Sequence, residues 1–253
     1  MKKNVMLAAM LLAAFPCGAA GATPAGTDTS QPQPAHQQAN VKNGAHLYDN
    51  WPTVTGARPE GSHPLYPATG RKSGTATWRC KECHGWDYLG SEGRYRQGSH
   101  FTGIRGVTRV KGETAEALYA SLTDPGSRHD FSAFLSPAQI RDLVGFLREG
   151  QTAIGPVIDA EGRGKGDAER GGPLYAAHCA SCHGRDGNTI DFKGDKEGVQ
   201  GVGWLANDNP EESIHKIRWG HPGSDMPSML ADGKLTERDA IDILTFSQSL
   251  EGR

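Results

Sequence analysis

Hydrophobic residues recur at helical spacing along much of this chain, and no segment sustains the alternation that is typical of a β-strand. Residues 113–122 place four apolar side chains on one stripe. Residues 136–139 form a capping box with proline at the first helical position, and residues 236–239 resemble the same start signal. A shorter helix is predicted to begin at residues 209–210. The pattern therefore predicts a mainly α fold with long loops.

The N-terminal segment has the features of an export signal. Lys2 and Lys3 form a positive start, residues 5–15 are a short apolar stretch, and residues 20–22 are a small-residue cleavage pattern. We therefore predict a signal peptide over residues 1–22 and a periplasmic mature chain, with an uncleaved anchor as the alternative. No later stretch approaches the roughly 18 apolar residues that a membrane span needs, so no transmembrane segment is expected in the mature chain.

The composition of the chain after residue 22 predicts a tether and two domains joined by a linker. Residues 23–45 are rich in Thr, Pro, Gln, Ala and Gly, which predicts a disordered tether. A first domain is predicted at residues 46–150 and a second at residues 172–253, with a Gly- and charge-rich linker at residues 151–171. The net charge of −2 lacks the basic excess that nucleic acid or an anionic membrane surface would require, so neither is expected as the main partner.

Two short cysteine motifs carry the strongest chemical signal in the chain. Each reads C-x-x-C-H, the attachment pattern of c-type haem. Two thiols three residues apart on a helical turn reach the two vinyl groups on one porphyrin edge, and the next histidine then lies under the iron as its proximal ligand. The motifs consist of Cys80, Cys83 and His84 in the first domain and of Cys179, Cys182 and His183 in the second. We therefore predict two covalently bound haem c groups.

Disulfide bonds and a zinc site are the alternatives for these four cysteines. A zinc site would need both pairs to converge, although about a hundred residues separate them. Disulfides are compatible with export, but neither alternative explains a histidine directly after each pair. Haem also accounts for the low hydrophobic content of 36%, because a flat apolar cofactor fills a core that few side chains could fill.

With these motifs, the chain resembles class I cytochrome c domains arranged in tandem, as in the dihaem cytochromes c. The resemblance covers nearly all of residues 70–150 and 172–253. It implies two tandem cytochrome c-like helical domains, each a bundle of short helices around its haem. It also implies that the distal iron ligand of each haem comes from a loop before the C-terminal helix of its domain.

The loop before the last helix offers Met226 as the distal ligand of the second haem. Met226 is followed by Pro227, as is usual in this family, and lies 43 residues after the proximal His183. Met229 is the competitor. A polar turn is a poor place for a buried packing residue, which favours a ligand role for Met226.

The first domain contains no methionine after its motif, so its iron needs a different distal ligand. Aligning the Pro-Gly-Ser sequences of the two loops places His129 at the position of Met226, 45 residues after His84. We therefore predict His84 and His129 as ligands of the first haem iron, and His183 and Met226 as ligands of the second. His100 is the runner-up for the first haem, and an open or water-bound iron is the remaining alternative.

An insertion over residues 85–114 follows the first motif and contains both aromatic and basic residues. It is interpreted either as a lid whose basic groups pair with haem propionates or an acidic partner, or as a solvated loop packed by its aromatics. Upstream, residues 63–67 and Trp78 are expected to wrap the same haem edge. His63, like the other unassigned histidines, is expected to be a surface or hydrogen-bonding residue.

Iron with two protein ligands has no free position for a substrate. We therefore predict an electron carrier without catalytic residues, whose partners are periplasmic or membrane-bound redox proteins. Methionine raises the potential of a haem relative to histidine, so the first haem should be the low-potential centre and the second the high-potential one. The alternatives are a dihaem oxidoreductase of the thiosulfate dehydrogenase or peroxidase type, and the cytochrome subunit of a larger dehydrogenase or oxidase complex. Thiosulfate dehydrogenases use a cysteine distal ligand, and the mature chain has no spare cysteine.

Overall fold

The computed structural model of the chain describes residues 39–194 and 198–251, and these all belong to one compact unit. The predicted signal peptide, and the tether up to residue 38, lie outside the described residues. The part that the structure describes contains α-helices, short 3₁₀ turns and isolated bridges but no β-strand, which confirms the mainly α fold class. None of the described helices is long and apolar enough to cross a membrane.

Nine α-helices are present in residues 39–194 and 198–251. In chain order they are α1 Val41–Thr55, α2 Cys80–His84, α3 Ala115–Ser121, α4 Pro137–Gly145, α5 Ala168–His178, α6 Ala180–His183, α7 Val202–Asp208, α8 Pro210–Trp219 and α9 Glu237–Ser247. A single π turn, Phe146–Gly150, continues α4. The four helices predicted from the sequence are confirmed as α3, α4, α8 and α9.

Local hydrogen bonds explain where two of these helices start. At α4 the Ser136 hydroxyl accepts from the backbone N–H of Gln139, and the Gln139 side chain accepts from the backbone N–H of Ser136. At α9 Thr236 and Asp239 form the same reciprocal pair. Each pair satisfies two backbone donors that the helix itself cannot use, so the sequence alone predicts both starts.

Two helix pairs repeat one another in the fold. Helix α1 packs on α4, and α5 packs on α9. A glycine lies at each crossing: a Cβ at Gly44 would be 2.0 Å from the Asp142 carbonyl oxygen, and a Cβ at Gly171 would be 2.1 Å from that of Asp242. Only a residue without a side chain permits such an approach between backbones. The two halves of the chain therefore contain the same close helix crossing.

The structure places the start of each half earlier than the sequence predicted. The tether predicted for residues 23–45 overlaps α1, which buries Gly44 and Ala45. The linker predicted for residues 151–171 includes Val157, which is buried in the core formed around α5, α8 and α9, and the first turn of α5. Small or isolated apolar residues form a weak pattern in a sequence, and tertiary packing decides that they are ordered.

A buried network joins α1 to α8 and so connects the two halves. The Asp49 carboxylate is fully buried and pairs with Arg79 at 2.7 Å and with the ammonium of Lys216. The Tyr88 hydroxyl lies 3.1 Å from Nδ1 of His215 on the same helix α8. Burial raises the pKa of Asp49, but the two cations outweigh burial and hold it well below its ordinary value. The carboxylate is therefore ionised at neutral pH.

Candidate functional site

The first cysteine motif lies on α2, at the wall of a largely apolar cavity of about 340 Å³. Its two cysteines, Cys80 and Cys83, are free thiols that line this cavity. Burial raises the pKa of each thiol to about 12, so both are protonated at neutral pH. The apolar lining includes Leu65, Ile104, Val107, Leu122, Leu143 and Leu147. Two thiols beside an apolar cavity fit the edge of a porphyrin.

His84 closes α2, and one of its two ring nitrogens is already engaged. Its Nδ1 lies 2.7 Å from the carbonyl oxygen of Arg105, so Nδ1–H donates there and the Nε2 lone pair is left free. Burial lowers the pKa of this imidazole to about 4, which keeps it neutral at pH 7. Gly85 follows at φ 79°, and its carbonyl accepts a 2.6 Å hydrogen bond from the Tyr48 hydroxyl. The motif thus holds His84 in the tautomer that a metal ligand requires.

His129 faces His84 across this cavity. The centroids of the two rings are 6.1 Å apart, and their planes are inclined at 81°. An iron between two imidazoles needs about 6.4 Å between ring centres, since each metal–nitrogen bond is about 2.0 Å and each nitrogen lies about 1.2 Å from its ring centre. Burial also lowers the pKa of His129, which favours the neutral ring. The separation fits one metal ion held between the two rings.

His63 is a third histidine of the same cavity, and the sequence did not single it out as a site residue. Its side chain is buried, with its ring centroid 4.6 Å from that of Trp78 and 6.3 Å from that of His129. Leu65 and Trp78 line the cavity beside it, as expected for the segment at residues 63–67. The only signal in the sequence was the place of His63 in a proline-rich segment upstream of the motif.

His100, the runner-up ligand, has a different partner. Its Nδ1 lies 3.2 Å from the Glu82 carboxylate, and its ring stacks on that of Tyr95 at 4.8 Å. Glu82 also pairs with Lys81 at 2.5 Å, so the two residues between the motif cysteines form a buried ion pair. His100 does not line the cavity that contains His84. The structure therefore favours His129 over His100 as the partner of His84.

The insertion at residues 85–114 combines features of both interpretations. Trp86 and Tyr88 are buried, as expected of a loop packed by its aromatics. The same segment contributes Ile104 to the cavity wall and the Arg105 carbonyl to His84. The Arg105 side chain is exposed and pairs with an exposed carboxylate of the insertion itself. The insertion therefore contributes backbone and apolar groups to the site, and the charge of Arg109 also helps to lower the pKa of His84.

The second motif repeats the geometry of the first on α6. Cys179 is partly buried and Cys182 is exposed, and both are free thiols. Gly184 takes φ 80°, and its carbonyl accepts a 3.0 Å hydrogen bond from the Tyr175 hydroxyl, the same contacts that follow the first motif. Within the described residues, the buried Nδ1 of His183 has no hydrogen-bond partner. Burial lowers the pKa of His183, so the neutral ring is favoured.

Apolar side chains near the second motif are unusually exposed. Ile190, Phe192 and Val199 have exposed fractions of 41%, 39% and 37%. The Phe192 ring lies 6.0 Å from the His183 ring, so this patch adjoins the predicted proximal ligand. Exposed apolar side chains beside the histidine of a C-x-x-C-H motif fit a large flat apolar group at this position.

Met226 and Met229, the two candidate distal ligands of the second haem, lie in different surroundings. Met226 is partly buried and lines a separate cavity of about 310 Å³ with Lys42, His46 and His221. The competitor Met229 is buried in the core around α5, α8 and α9. Met226 as the distal ligand of the second haem stays a prediction.

Comparison with known proteins supports one class of function. Residues 166–246 match the family model of cytochrome c oxidase, cbb3-type, subunit III. Two curated relatives, each a "Cbb3-type cytochrome c oxidase subunit CcoP" from Rhodobacter capsulatus, are 26% identical over 203 residues. The alignments cover 72% of this chain but only 63% of each relative. These matches indicate a cytochrome c domain at residues 166–246, similar to that of the cbb3-type oxidase subunit, and they support haem c binding and a cytochrome c electron-transfer role.

Proposed function

We propose that this chain is a periplasmic dihaem cytochrome c that transfers single electrons between redox partners and has no catalytic residues of its own. The main support for this proposal is the placement of two histidines around one cavity. His84 and His129 face each other at 6.1 Å across a cavity that Cys80 and Cys83 line. The cavity has thiols for attachment on one side and two neutral imidazoles at the spacing of axial ligands.

The same attachment chemistry is proposed for the second half of the chain. Cys179 and Cys182 would hold the second haem, with His183 as its proximal ligand and Met226 as its distal ligand. The exposed apolar side chains beside His183 support a cofactor there. When bound, each haem supplies a reversible one-electron couple of iron. The protein's own contribution is to position, ligate and shield that group.

The proposed ligands assign a direction to electron transfer. Two imidazoles favour ferric iron, whereas a thioether ligand favours ferrous iron, so the first haem has the lower potential. A gap of about 100 mV or more is expected, because axial ligands tune haem potentials over about 0.8 V. Electrons would then enter at the first haem and leave from the second.

A second candidate function is supported by the comparisons. The curated relatives are named as subunits of a cbb3-type oxidase, so this chain would serve as a cytochrome subunit that passes electrons within a larger membrane-bound complex. The chain covers less than two thirds of those relatives, so the assembly partner is open to test. Purification of a tagged chain under mild detergent distinguishes the candidates: a stable co-purifying oxidase supports the subunit, and a pure soluble cytochrome supports the free carrier.

Low-temperature EPR combined with an optical redox titration tests the proposed ligands. Two haems by pyridine hemochrome, two potentials and two low-spin signals are expected for the wild type. His129→Ala should convert only the first haem to a high-spin form. His100→Ala is the matched control, since His100 is bound to Glu82 and should leave both signals unchanged. An unchanged spectrum in His129→Ala would overturn the ligand assignment, and turnover of thiosulfate or peroxide would restore the oxidoreductase alternative.

A further inference from the structure

With His84 and His129 assigned as ligands, His63 is a third histidine of the same cavity and has no assigned role. His63 is only 6% exposed. Its ring lies edge-on to Trp78 at 4.6 Å and stacks on Phe131 at 5.9 Å. A buried imidazole held between two aromatic rings has one orientation, so its ring nitrogens have defined roles.

The backbone around His63 determines which of its nitrogens carries the proton. The backbone N–H of Leu65 donates to His63 Nδ1 at 3.1 Å. A nitrogen that accepts a hydrogen bond has its lone pair available, so the proton of the neutral ring is on Nε2. No group in the part of the chain that the structure describes accepts from this Nε2–H. His63 therefore brings a hydrogen-bond donor without a partner to the cavity.

That donor is not positioned for His129. The ring centroids of His63 and His129 are 6.3 Å apart. Each ring nitrogen lies about 1.2 Å from its ring centre, so the two nearest nitrogens are at least about 4 Å apart, beyond hydrogen-bond distance. A small molecule between the two rings could accept from Nε2–H. Such a molecule would lie beside the His129 ring.

His129 itself is held more weakly than His84. No hydrogen bond to its ring is present within the described residues, and its backbone N–H reaches the Ser127 hydroxyl at a long 3.3 Å. His129 lies in a segment of turns between α3 and α4, whereas the His84 ring donates to the Arg105 carbonyl at 2.7 Å. Of the two imidazoles, His129 is the one that can be exchanged without breaking a structural hydrogen bond.

We propose that the first haem site binds a small anion in exchange for His129, and that the Nε2–H of His63 hydrogen-bonds to that anion. The inference rests on the proposed ligation by His84 and His129. The exchange would be a ligand substitution without oxidation or reduction, in which His129 would withdraw with its electron pair and the anion would supply its own pair in its place. His63 stabilises the anion because a hydrogen bond to a charged acceptor is stronger than one to a neutral acceptor.

Cyanide binding to the half-reduced, haem-loaded protein tests this role. Ascorbate is used to reduce only the high-potential haem, so the cyanide-dependent change in the ferric absorption and EPR signals reports the first haem. We expect His63→Leu to weaken cyanide binding at least tenfold. His63→Gln keeps an amide donor and should stay within about threefold of the wild type. His100→Leu is the control for a change in a histidine outside the cavity and should have no effect.

The outcomes separate this inference from the proposed function. The EPR spectrum without cyanide is recorded for each variant and reports whether the ligand pair of the first haem is intact. If that pair is intact and the wild type and His63→Leu bind cyanide equally, or neither binds it, the anion site is refuted while the ligation stands. If the first haem becomes high-spin in His63→Leu but stays low-spin in His129→Ala, His63 is the ligand. That result would overturn both the anion site and the ligation by His84 and His129. A shift in haem potential without a change in cyanide affinity would also refute the anion site, because His63 would then act on the cofactor itself.

Discussion

Replacing Asp49 tests the buried network that joins the two halves of the chain. Asp49 lies on α1 with no exposed surface, between Arg79 and Lys216, and the Lys216 side chain is itself only 7% exposed. Asparagine has nearly the shape of aspartate but no charge. Asp49→Asn therefore leaves the Lys216 ammonium buried without its counter-charge. We expect this variant to fold at neutral pH and to be much less stable than the wild type.

The magnitude follows from the cost of an uncompensated buried charge. Removing one partner of a buried pair costs about 3–5 kcal/mol of stability, which is roughly a 100- to 4000-fold change in the unfolding equilibrium. With a urea m-value of about 3 kcal/mol/M, the unfolding midpoint should fall by at least about 1 M. Asp49→Leu combined with Lys216→Met removes both charges and should regain most of this loss. Arg79 keeps its 2.8 Å hydrogen bond to the Asp49 backbone carbonyl in every variant.

Urea unfolding of the haem-loaded protein, followed by far-UV circular dichroism, measures these midpoints. Asp232→Asn is the matched control, because Asp232 pairs with Lys42 of the same helix α1 at 2.7 Å while both side chains remain partly exposed to solvent. Solvent screens such a pair, so the control midpoint should be unchanged. An Asp49→Asn midpoint within about 0.3 M of the wild type, about 1 kcal/mol, would refute the reasoning.

Three further outcomes are expected. His215 should contribute a fall in the free energy of unfolding of about 1.4 kcal/mol per pH unit from about pH 6.5 toward pH 3. Burial lowers the pKa of His215 to about 3, so in that pH range His215 is protonated only in the unfolded state. His215→Gln should therefore flatten the dependence of the unfolding free energy on pH, measured by urea titrations at acid pH. Gly44→Ala and Gly171→Ala should each cost about 1–3 kcal/mol by forcing two helices apart, whereas Gly155→Ala, where a Cβ meets nothing within 4 Å, should leave the thermal midpoint unchanged. Met226→His should lower the potential of the second haem toward that of the first in an optical redox titration, and an unchanged potential would remove Met226 from the iron.

Features whose partners are close in sequence could be predicted in advance. The capping hydrogen bonds of α4 and α9 connect residues three positions apart, and the structure confirms both. The two cysteine motifs each occupy five consecutive residues, so they can be recognised without a three-dimensional structure. Pairing His129 with His84 needed only the assumption of an internal repeat, and the structure brings these two rings to opposite sides of one cavity.

Features built from distant residues could not be predicted. Asp49 and Lys216 are 167 positions apart, and neither lies in a pattern that marks it as buried. His63 lies upstream of the first motif, and the segment between them has no regular hydrophobic pattern. The burial of His63 beside His129 therefore depends on how that segment folds. The sequence predicts a tether over the first turn of α1, because the small residues that allow its close crossing with α4 resemble linker residues.

The helical class, the helix starts and the two C-x-x-C-H motifs can be recognised in short stretches of sequence, since each depends on interactions within a few residues. Which histidines share a cavity, which glycines lie at helix crossings and how α8 is anchored to α1 depend on the folded chain. Those features arise from contacts between segments separated by tens to hundreds of residues. Such contacts depend on the total packing and electrostatic energy of the folded chain. A short sequence pattern does not contain that information.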